Sequence, residues 1–114
     1  MAERIKKVQE LIKTELGKII FKEIEFPKGT LVTVTRVEVS RSFDHCKVFV
    51  SCFPEKKFKE VFKILNSQIF KLQKILDKKL VMRKVPKISF LKEKKILEAA
   101  RIEEILERLK KEKK

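Results

Sequence analysis

The chain has 114 residues, 43% of them hydrophobic and 40% charged, and its formal net charge is +14. This length predicts one domain with a real core, and the charge excess favours an anionic partner: nucleic acid, an acidic protein or an anionic membrane. No stretch approaches the roughly 18 apolar residues that a membrane helix needs, and no secretory leader is recognisable, so we expect a cytoplasmic protein.

The first half of the chain predicts a helix followed by a strand hairpin. Apolar residues recur at helical spacing over residues 3–24, and Pro27 and Gly29 end that pattern. Residues 31–40 and 46–53 alternate and are rich in β-branched residues, so two antiparallel strands with a short connection are expected. Strict alternation puts two sets of residues on one face each: Leu31, Thr33, Thr35, Val37 and Val39, and then Cys46, Val48, Val50 and Cys52.

The middle of the chain predicts two short helices with a break between them. Apolar residues at helical spacing indicate helices over residues 55–65 and 67–81. The helix junction is placed at Asn66, Ser67 and Gln68. Asparagine tolerates the left-handed conformation that ends many helices, and serine is a good N-cap, so the junction has the chemistry of a helix boundary.

The last part of the chain predicts a strand and a helix. The strand covers residues 86–91, with alternate apolar side chains facing inward, and the helix covers residues 95–112. A frayed basic tail is expected at about residues 110–114. The order α-β-β-α-α-β plus a C-terminal helix predicts one α+β domain over residues 1–114. Its first six elements follow the type II KH arrangement, a three-stranded sheet with helices packed on one face.

Catalytic and metal-binding patterns are missing from the sequence. The run Asp44-His45-Cys46 is a candidate, but neighbours on a strand point to opposite faces, so His45 and Cys46 should not meet. One histidine and two distant thiols do not supply the roughly four ligands of a metal site. We therefore expect no enzymatic activity, no small-molecule substrate, no cofactor and no metal. Cys46 and Cys52 should be free thiols, because six residues of strand separate them by about 20 Å.

The positive charge is concentrated in one part of the chain. Residues 54–95 carry a net charge of +10, and the rest of the sequence is close to balanced. A helical wheel puts three lysines of the second middle helix opposite its apolar stripe. With their basic neighbours they form the candidate RNA-binding set: Lys63, Lys71, Lys74, Lys78, Lys79, Arg83, Lys84 and Lys87. A solvated lysine face is the alternative, but the segregation of charge favours nucleic acid. Phe70 lies beside these lysines, and a structural role is favoured for it over base stacking.

Several stretches resemble one protein family. The most specific are residues 32–40 (VTVTRVEVS) and 43–51 (FDHCKVFVS), and residues 80–90 (LVMRKVPKISF) resemble a Leu-x-x-Arg-x-Val-Pro-x-Leu-x-Phe stretch. The closing helix contributes Arg101-Ile102 followed by Ile105-Leu106. In this order and spacing, and with the opening helix, they resemble ribosome-binding factor A of bacteria over nearly the whole chain.

The resemblance implies a small-subunit assembly factor. Such proteins bind the immature small ribosomal subunit, act on folding and processing of its rRNA near the 5′ end, and support growth in the cold. The family marks its helix junction with Ala-x-Gly, whereas the glycines of this chain are Gly17 and Gly29. Recognition is then expected to rest on shape and on phosphate contacts from lysine and arginine.

Two other classes remain open from the sequence. A basic DNA-binding protein would use the same charge, and competition between duplex DNA and rRNA fragments would separate these two functions. A protein-interaction module would use the apolar stripes of the two terminal helices, and sedimentation would show the resulting dimer. Because packing within one chain accounts for both stripes, a monomer is expected.

Overall fold

Six regular elements make up the described part of the protein. The structure, a computed structural model, describes residues 2–94. The elements are α1 (Ala2–Glu23), β1 (Leu31–Val39), β2 (His45–Phe53), α2 (Phe58–Ser67), α3 (Ile69–Lys79) and β3 (Lys87–Lys92). A short 3-10 turn, Glu55–Lys57, leads into α2. The helix expected over residues 95–112 and the frayed tail at about 110–114 lie outside the described residues.

The three strands form one sheet with the order β1-β2-β3. β1 and β2 are antiparallel, as the short connection predicted, whereas β2 and β3 are parallel, with α2 and α3 in the long connection that a parallel pair requires. α1 packs on β1 and α3, α2 packs on β2 and β3, and α3 packs on β3. The described helices therefore cover one face of the sheet, which confirms the predicted α+β, type II KH-like fold.

One hydrophobic core lies between the helices and the sheet. Its centre consists of side chains that are 0% exposed: Ile12, Leu16, Cys46, Val48, Val50, Val61, Leu65, Leu72 and Leu76. β3 adds Ile88 and Phe90, as its alternation predicted. Burying one large aliphatic side chain stabilises the folded state by about 1.5–3 kcal/mol, so this core fixes which side of each helix remains exposed.

β1 does not follow the strict alternation predicted for it. Its register against β2 shifts between Val34 and Arg36, so Thr35 is the extra residue of a β-bulge. The valines on both sides of the bulge pack in or against the core: Val32, Val34, Val37 and Val39. The prediction that Leu31, Thr33 and Thr35 share the face of the later valines is therefore wrong. Leu31 is 66% exposed on the other face.

The break between α2 and α3 is confirmed, and it lies at Gln68, where ψ is 7°. The expectation that Ser67 is the N-cap of α3 is wrong. Ser67 is the last residue of α2, and its Oγ donates to the Ile64 carbonyl at 2.7 Å, which turns the hydroxyl back onto α2. Asn66 does not take the left-handed conformation, because no residue of the junction has a positive φ.

Both cysteines are free thiols, as predicted. Cys46 is fully buried, and this burial raises the pKa of its thiol to about 12. Cys52 is partly exposed near the end of β2, and burial together with the Glu55 carboxylate raises the pKa of its thiol. His45 is exposed whereas Cys46 is buried, so the Asp44-His45-Cys46 run forms no catalytic arrangement.

Candidate nucleic-acid interface

All eight basic residues of the predicted set are exposed. They lie on α2, on α3, in the connection after α3 and at the start of β3: Lys63, then Lys71, Lys74, Lys78 and Lys79, then Arg83 and Lys84, and Lys87. The structure thus places every member of the set at the surface, and half of the set on one helix.

α3 has one buried and one exposed side. Leu72 and Leu76 are 0% exposed in the core, whereas Lys74 and Lys78 are exposed on the opposite side of the helix. Phe70 is 85% exposed and shares that side. The structural role expected for Phe70 is therefore wrong, because its ring lies outside the core. An aromatic surface instead stands among the lysines of α3.

Gln73 fixes the start of β3 against α3. Its Oε1 accepts the N–H of Ile88 at 2.9 Å, and its Nε2 donates to the Pro86 carbonyl at 3.1 Å and to Asp77 Oδ1 at 2.9 Å. β3 lies at the edge of the described sheet, so no neighbouring strand bonds the backbone groups on its open side. The Gln73 amide bonds two such groups, the Ile88 N–H and the Pro86 carbonyl. The position of Lys87 relative to α3 follows from these bonds. The sequence did not predict this function of Gln73, because a single polar residue in a helix gives no sign of which backbone groups it will bond.

Two of the eight basic residues are ion-paired. Lys71 Nζ lies 3.6 Å from Glu23 Oε1 on α1, and Lys84 Nζ bonds to the Asp44 carboxylate. The bond from Lys84, supported by one from Ser42, holds the pKa of Asp44 below its usual range. The other six form no ion pair within residues 2–94: Lys63, Lys74, Lys78, Lys79, Arg83 and Lys87. Their charge remains available to an anionic ligand.

Arg83 and Lys84 line a cleft that also reaches α1. The first two turns of α1, the β1–β2 loop and the connection after α3 form its walls, and its volume is about 410 Å³. Arg4 adds a third cation to the cleft. It was outside the predicted set because the first helix is nearly balanced in charge. Only the folded chain brings Arg4 beside residues 83 and 84.

The β1–β2 loop beside this cleft has a defined conformation. Ser40 Oγ accepts the N–H groups of Asp44 and His45 at 3.1 and 3.0 Å. Phe43 has a φ of 60°, which is uncommon for a bulky residue, and its side chain packs against the core. These contacts hold the Asp44 carboxylate in place for Lys84.

Residues 2–94 offer neither a metal site nor a membrane-spanning helix. No group of three or more His, Cys, Asp or Glu residues within residues 2–94 could hold a metal ion. None of the helices in that range is long and apolar enough to cross a membrane.

The parallel β2–β3 pair, the bent α2–α3 pair and the exposed basic helix define a small KH-like domain of type II with a cationic surface. The chain belongs to the ribosome-binding factor A family, whose sequence profile matches residues 4–106. Ribosome-binding factor A of Halothermothrix orenii is 33% identical over 111 residues, which cover 96% of this chain and 91% of that protein. The Coxiella burnetii protein of the same name (strain Dugway 5J108-111) is 34% identical over 108 residues, covering 95% and 91%. The resemblance inferred from the sequence is confirmed.

Solved structures of the family share the fold. The crystal structure of ribosome-binding factor A from Thermus thermophilus superposes with a TM-score of 0.67 at 25% identity, covering 77% of this chain and 93% of that one. A homology model of the Thermus thermophilus protein, fitted into a cryo-EM map of a 30S–RbfA complex, superposes with a TM-score of 0.62 at 26% identity. It covers 73% of this chain and 88% of its own.

Proposed function

We infer that the protein binds the small ribosomal subunit in the cytoplasm through the basic side of α3 and its continuation to β3. The observation that carries this inference is the group of six exposed cations, without ion pairs in the described chain, in a member of the ribosome-binding factor A family. The 30S complex of the Thermus thermophilus relative supports the choice of partner. The protein assists folding and processing of the rRNA by holding one conformation, and it makes or breaks no bond.

The geometry of α3 suits a ligand that presents phosphates and unpaired bases. Lys74 and Lys78 are one helical turn apart, so both can contact one stretch of RNA backbone, and each contact releases condensed counterions. Phe70 is 85% exposed on the same side, where its ring can stack on an unpaired base. Sequence-specific RNA recognition commonly combines these two kinds of contact in single-stranded segments, which immature rRNA supplies.

A basic DNA-binding protein is the second candidate, because the same six cations would contact duplex DNA. Binding of the full chain to immature and mature small subunits should therefore be measured by co-sedimentation at fixed salt, with duplex DNA and rRNA fragments as competitors. Competition by rRNA but not by an equal mass of duplex DNA supports the proposal. Stronger competition by duplex DNA would favour the second candidate.

The double substitution Lys74→Glu and Lys78→Glu tests the surface itself. It should weaken subunit binding, and the slope of log K against log salt should decrease by about 0.7–0.9 for each phosphate that the variant no longer neutralises. Lys28→Glu with Lys47→Glu is the matched control, because it makes the same charge change at exposed positions away from α3. Circular dichroism should show both variants folded, since exposed charges contribute little to stability. Binding that survives the first pair and fails with the control pair would place the interface elsewhere.

A further inference from the structure

We propose that the cleft at the C-terminal end of α3 binds one unpaired nucleotide of the RNA, with the phosphate on Arg4 and Arg83 and the base on the apolar floor. The inference rests on the proposed function and deepens it, because it names a second contact site and the part of the RNA that this site takes. Arg4 lies on α1, outside the basic side of α3, so the two sites can be tested separately.

The cleft exists because α1 and α3 pack side by side in opposite directions. Glu23, the last residue of α1, pairs with Lys71 near the start of α3, and Leu11 of α1 shares a hollow with Lys79, the last residue of α3. Arg4 lies two helical turns before Leu11, so it reaches past α3 to the connection that follows it. The α2–α3 junction lies at the other end of this 11-residue helix, about 16 Å away. The cleft is therefore separate from that junction.

The cleft combines an apolar floor with a cationic rim. Half-buried side chains that pack against the core form the floor: Val8, Phe43 and Met82. Exposed cations stand at the rim: Arg4, Arg83 and Lys84. The volume of about 410 Å³ lies within the range of about 300–1,000 Å³ that is typical of sites for small organic groups. A nucleotide has the same two parts, an anionic phosphate and a base with a flat face, and only an unpaired base can turn that face to the floor.

The two arginines are the cations of the cleft that remain free for a phosphate. Neither has an ion pair within residues 2–94, whereas Lys84 is bonded to the Asp44 carboxylate. Arginine presents a planar fork of N–H donors that binds a phosphate through two parallel bonds, whereas lysine acts as a point charge. The six cations of the proposed surface are all lysines except Arg83. Directional phosphate binding is therefore a property of the cleft, and the lysines attract the RNA backbone with less geometric preference.

The floor is held in place before any ligand binds. Phe43 has a φ of 60°, and its N–H donates to the Ser40 carbonyl at 2.9 Å, so the β1–β2 loop keeps its ring against the core and in the cleft. A side chain that is already ordered loses little conformational freedom on binding. Met82, on the other side of the cleft, has an unbranched and polarizable side chain that adapts to a flat ring. The floor therefore suits the face of a base.

Met82 provides a native reporter of the base. The chain contains two methionines, Met1 and Met82, so methyl-labelled methionine gives a simple NMR spectrum, and Met82→Leu identifies the signal of Met82. The full chain should be titrated with single-stranded oligo(U) and with a strand of the same length that lacks bases. Both strands carry the same number of phosphates, so a difference between them reports on the base alone.

The proposal predicts that oligo(U) shifts the Met82 methyl signal through the ring current of the base, and that the strand without bases shifts it far less. A Met82 signal that oligo(U) leaves in place, or that both strands shift equally, would overturn the proposal. A signal that moves with poly-glutamate and not with oligo(U) would also overturn it and assign the cleft to an acidic protein.

A charge reversal at Arg4 tests the phosphate contact. Arg4→Glu should lower the affinity of the full chain for labelled oligo(U), measured by fluorescence anisotropy, by about tenfold, as expected when one charge-assisted hydrogen bond is lost. Lys6→Glu is the matched control, because it makes the same charge change at an exposed position of α1 that does not line the cleft. It should lower the affinity less than about threefold, since only the screened long-range field changes. Equal effects of the two variants would overturn the proposal.

The same variants separate a failure of this inference from a failure of the proposed function. If Lys74→Glu with Lys78→Glu weakens binding to small subunits while Arg4→Glu behaves like Lys6→Glu, the cleft is not a binding site and the proposed function stands. A full chain that binds no small subunit would refute the proposed function, and this inference with it.

Discussion

Replacing Gln73 by alanine should release the start of β3 from α3. Two of the three bonds of the Gln73 amide go to backbone groups, the Ile88 N–H at 2.9 Å and the Pro86 carbonyl at 3.1 Å. A neutral hydrogen bond contributes about 0.5–1.5 kcal/mol, and leaving a buried backbone group without a partner costs about 1–3 kcal/mol. Ile88 is 6% exposed, so water cannot easily replace the missing acceptor. The free energy of unfolding should therefore decrease by about 2–3 kcal/mol.

Urea and thermal unfolding of the full chain measure this decrease. A change of about 2–3 kcal/mol should lower the midpoint temperature by about 10 °C in a domain of this size. Lys74→Ala is the matched control, because it lies next to Gln73 on α3 and its exposed side chain has no ion pair within residues 2–94. A decrease below about 0.5 kcal/mol for Gln73→Ala would show that the amide is not needed to position β3.

Gln73→Glu separates the two functions of the amide. A carboxylate can still accept the Ile88 N–H, but it cannot donate to the Pro86 carbonyl and it repels Asp77, which lies 2.9 Å from Nε2 in the parent. The folded state then raises the pKa of the new carboxyl. The part of the penalty that comes from charge repulsion should be fully present above the raised folded pKa and should be lost as the pH falls through the unfolded pKa of about 4.3.

Three smaller predictions concern the junction, the core thiol and the loop. Ser67→Ala should change the free energy of unfolding by less than about 0.5 kcal/mol, because Ser67 does not cap α3. A decrease in urea unfolding near about 1 kcal/mol, the usual value for the loss of an N-cap, would contradict this. Cys46→Ala should lower the free energy of unfolding by about 1–2 kcal/mol through reduced packing. The parent should have the same melting temperature with and without reductant. A large drop in that temperature on adding reductant would contradict the assignment of free thiols. The pKa of Asp44 is lowered from 3.8 by its bond from Lys84, so its contribution to stability is present above 3.8 and is lost as the pH falls through the folded pKa. Asp44→Asn should flatten the acid limb of the melting temperature against pH, and an unchanged limb would show that the pair does not persist in solution.

The sequence predicted most of the fold because most elements are regular. The stripe of α3 and the alternation of β2 each require one buried side, and Leu72, Leu76, Val48 and Val50 on those sides are 0% exposed as expected. The bulge at Thr35 was not predicted, although the valines contain its signal. They recur at positions 32 and 34 and again at 37 and 39, so the spacing changes from two to three across the bulge. The sequence prediction assumed that inward and outward residues alternate without interruption along β1. The alternation shifts by one residue at Thr35, and the pairing with β2 shows this shift.

In the candidate surface, as in the fold, the features that local sequence patterns determine were predictable, and the features that depend on tertiary contacts were not. The exposure of Lys74 and Lys78 follows from helical periodicity, so it was predictable. The bond between Lys84 and Asp44 joins residues 40 positions apart, and the cleft that adds Arg4 depends on the packing of α1. Such contacts leave no local pattern in the sequence. The positions of the cations were therefore predictable, whereas their pairing was not.

The bulge also determines where the positive charge is neutralised. It places Arg36 on the outer face of the sheet, the face that the described helices leave uncovered. There its guanidinium lies 3.7 Å from the centre of the Phe49 ring and binds both Glu38 and Glu93. If the strict alternation of Val32 and Val34 continued through residue 35, Arg36 would face the core, and Glu93 would lose its bond from Nε. The fold thus uses acidic residues to neutralise a cation on the outer face. On α3, Lys71 is the lysine with an ion pair within residues 2–94, and Asp77, the acidic residue of that helix, accepts a bond from the Gln73 amide. Cations without an ion pair within residues 2–94 therefore remain on α2 and α3, in the connection after α3 and at Lys87, whereas Arg36 on β1 is neutralised.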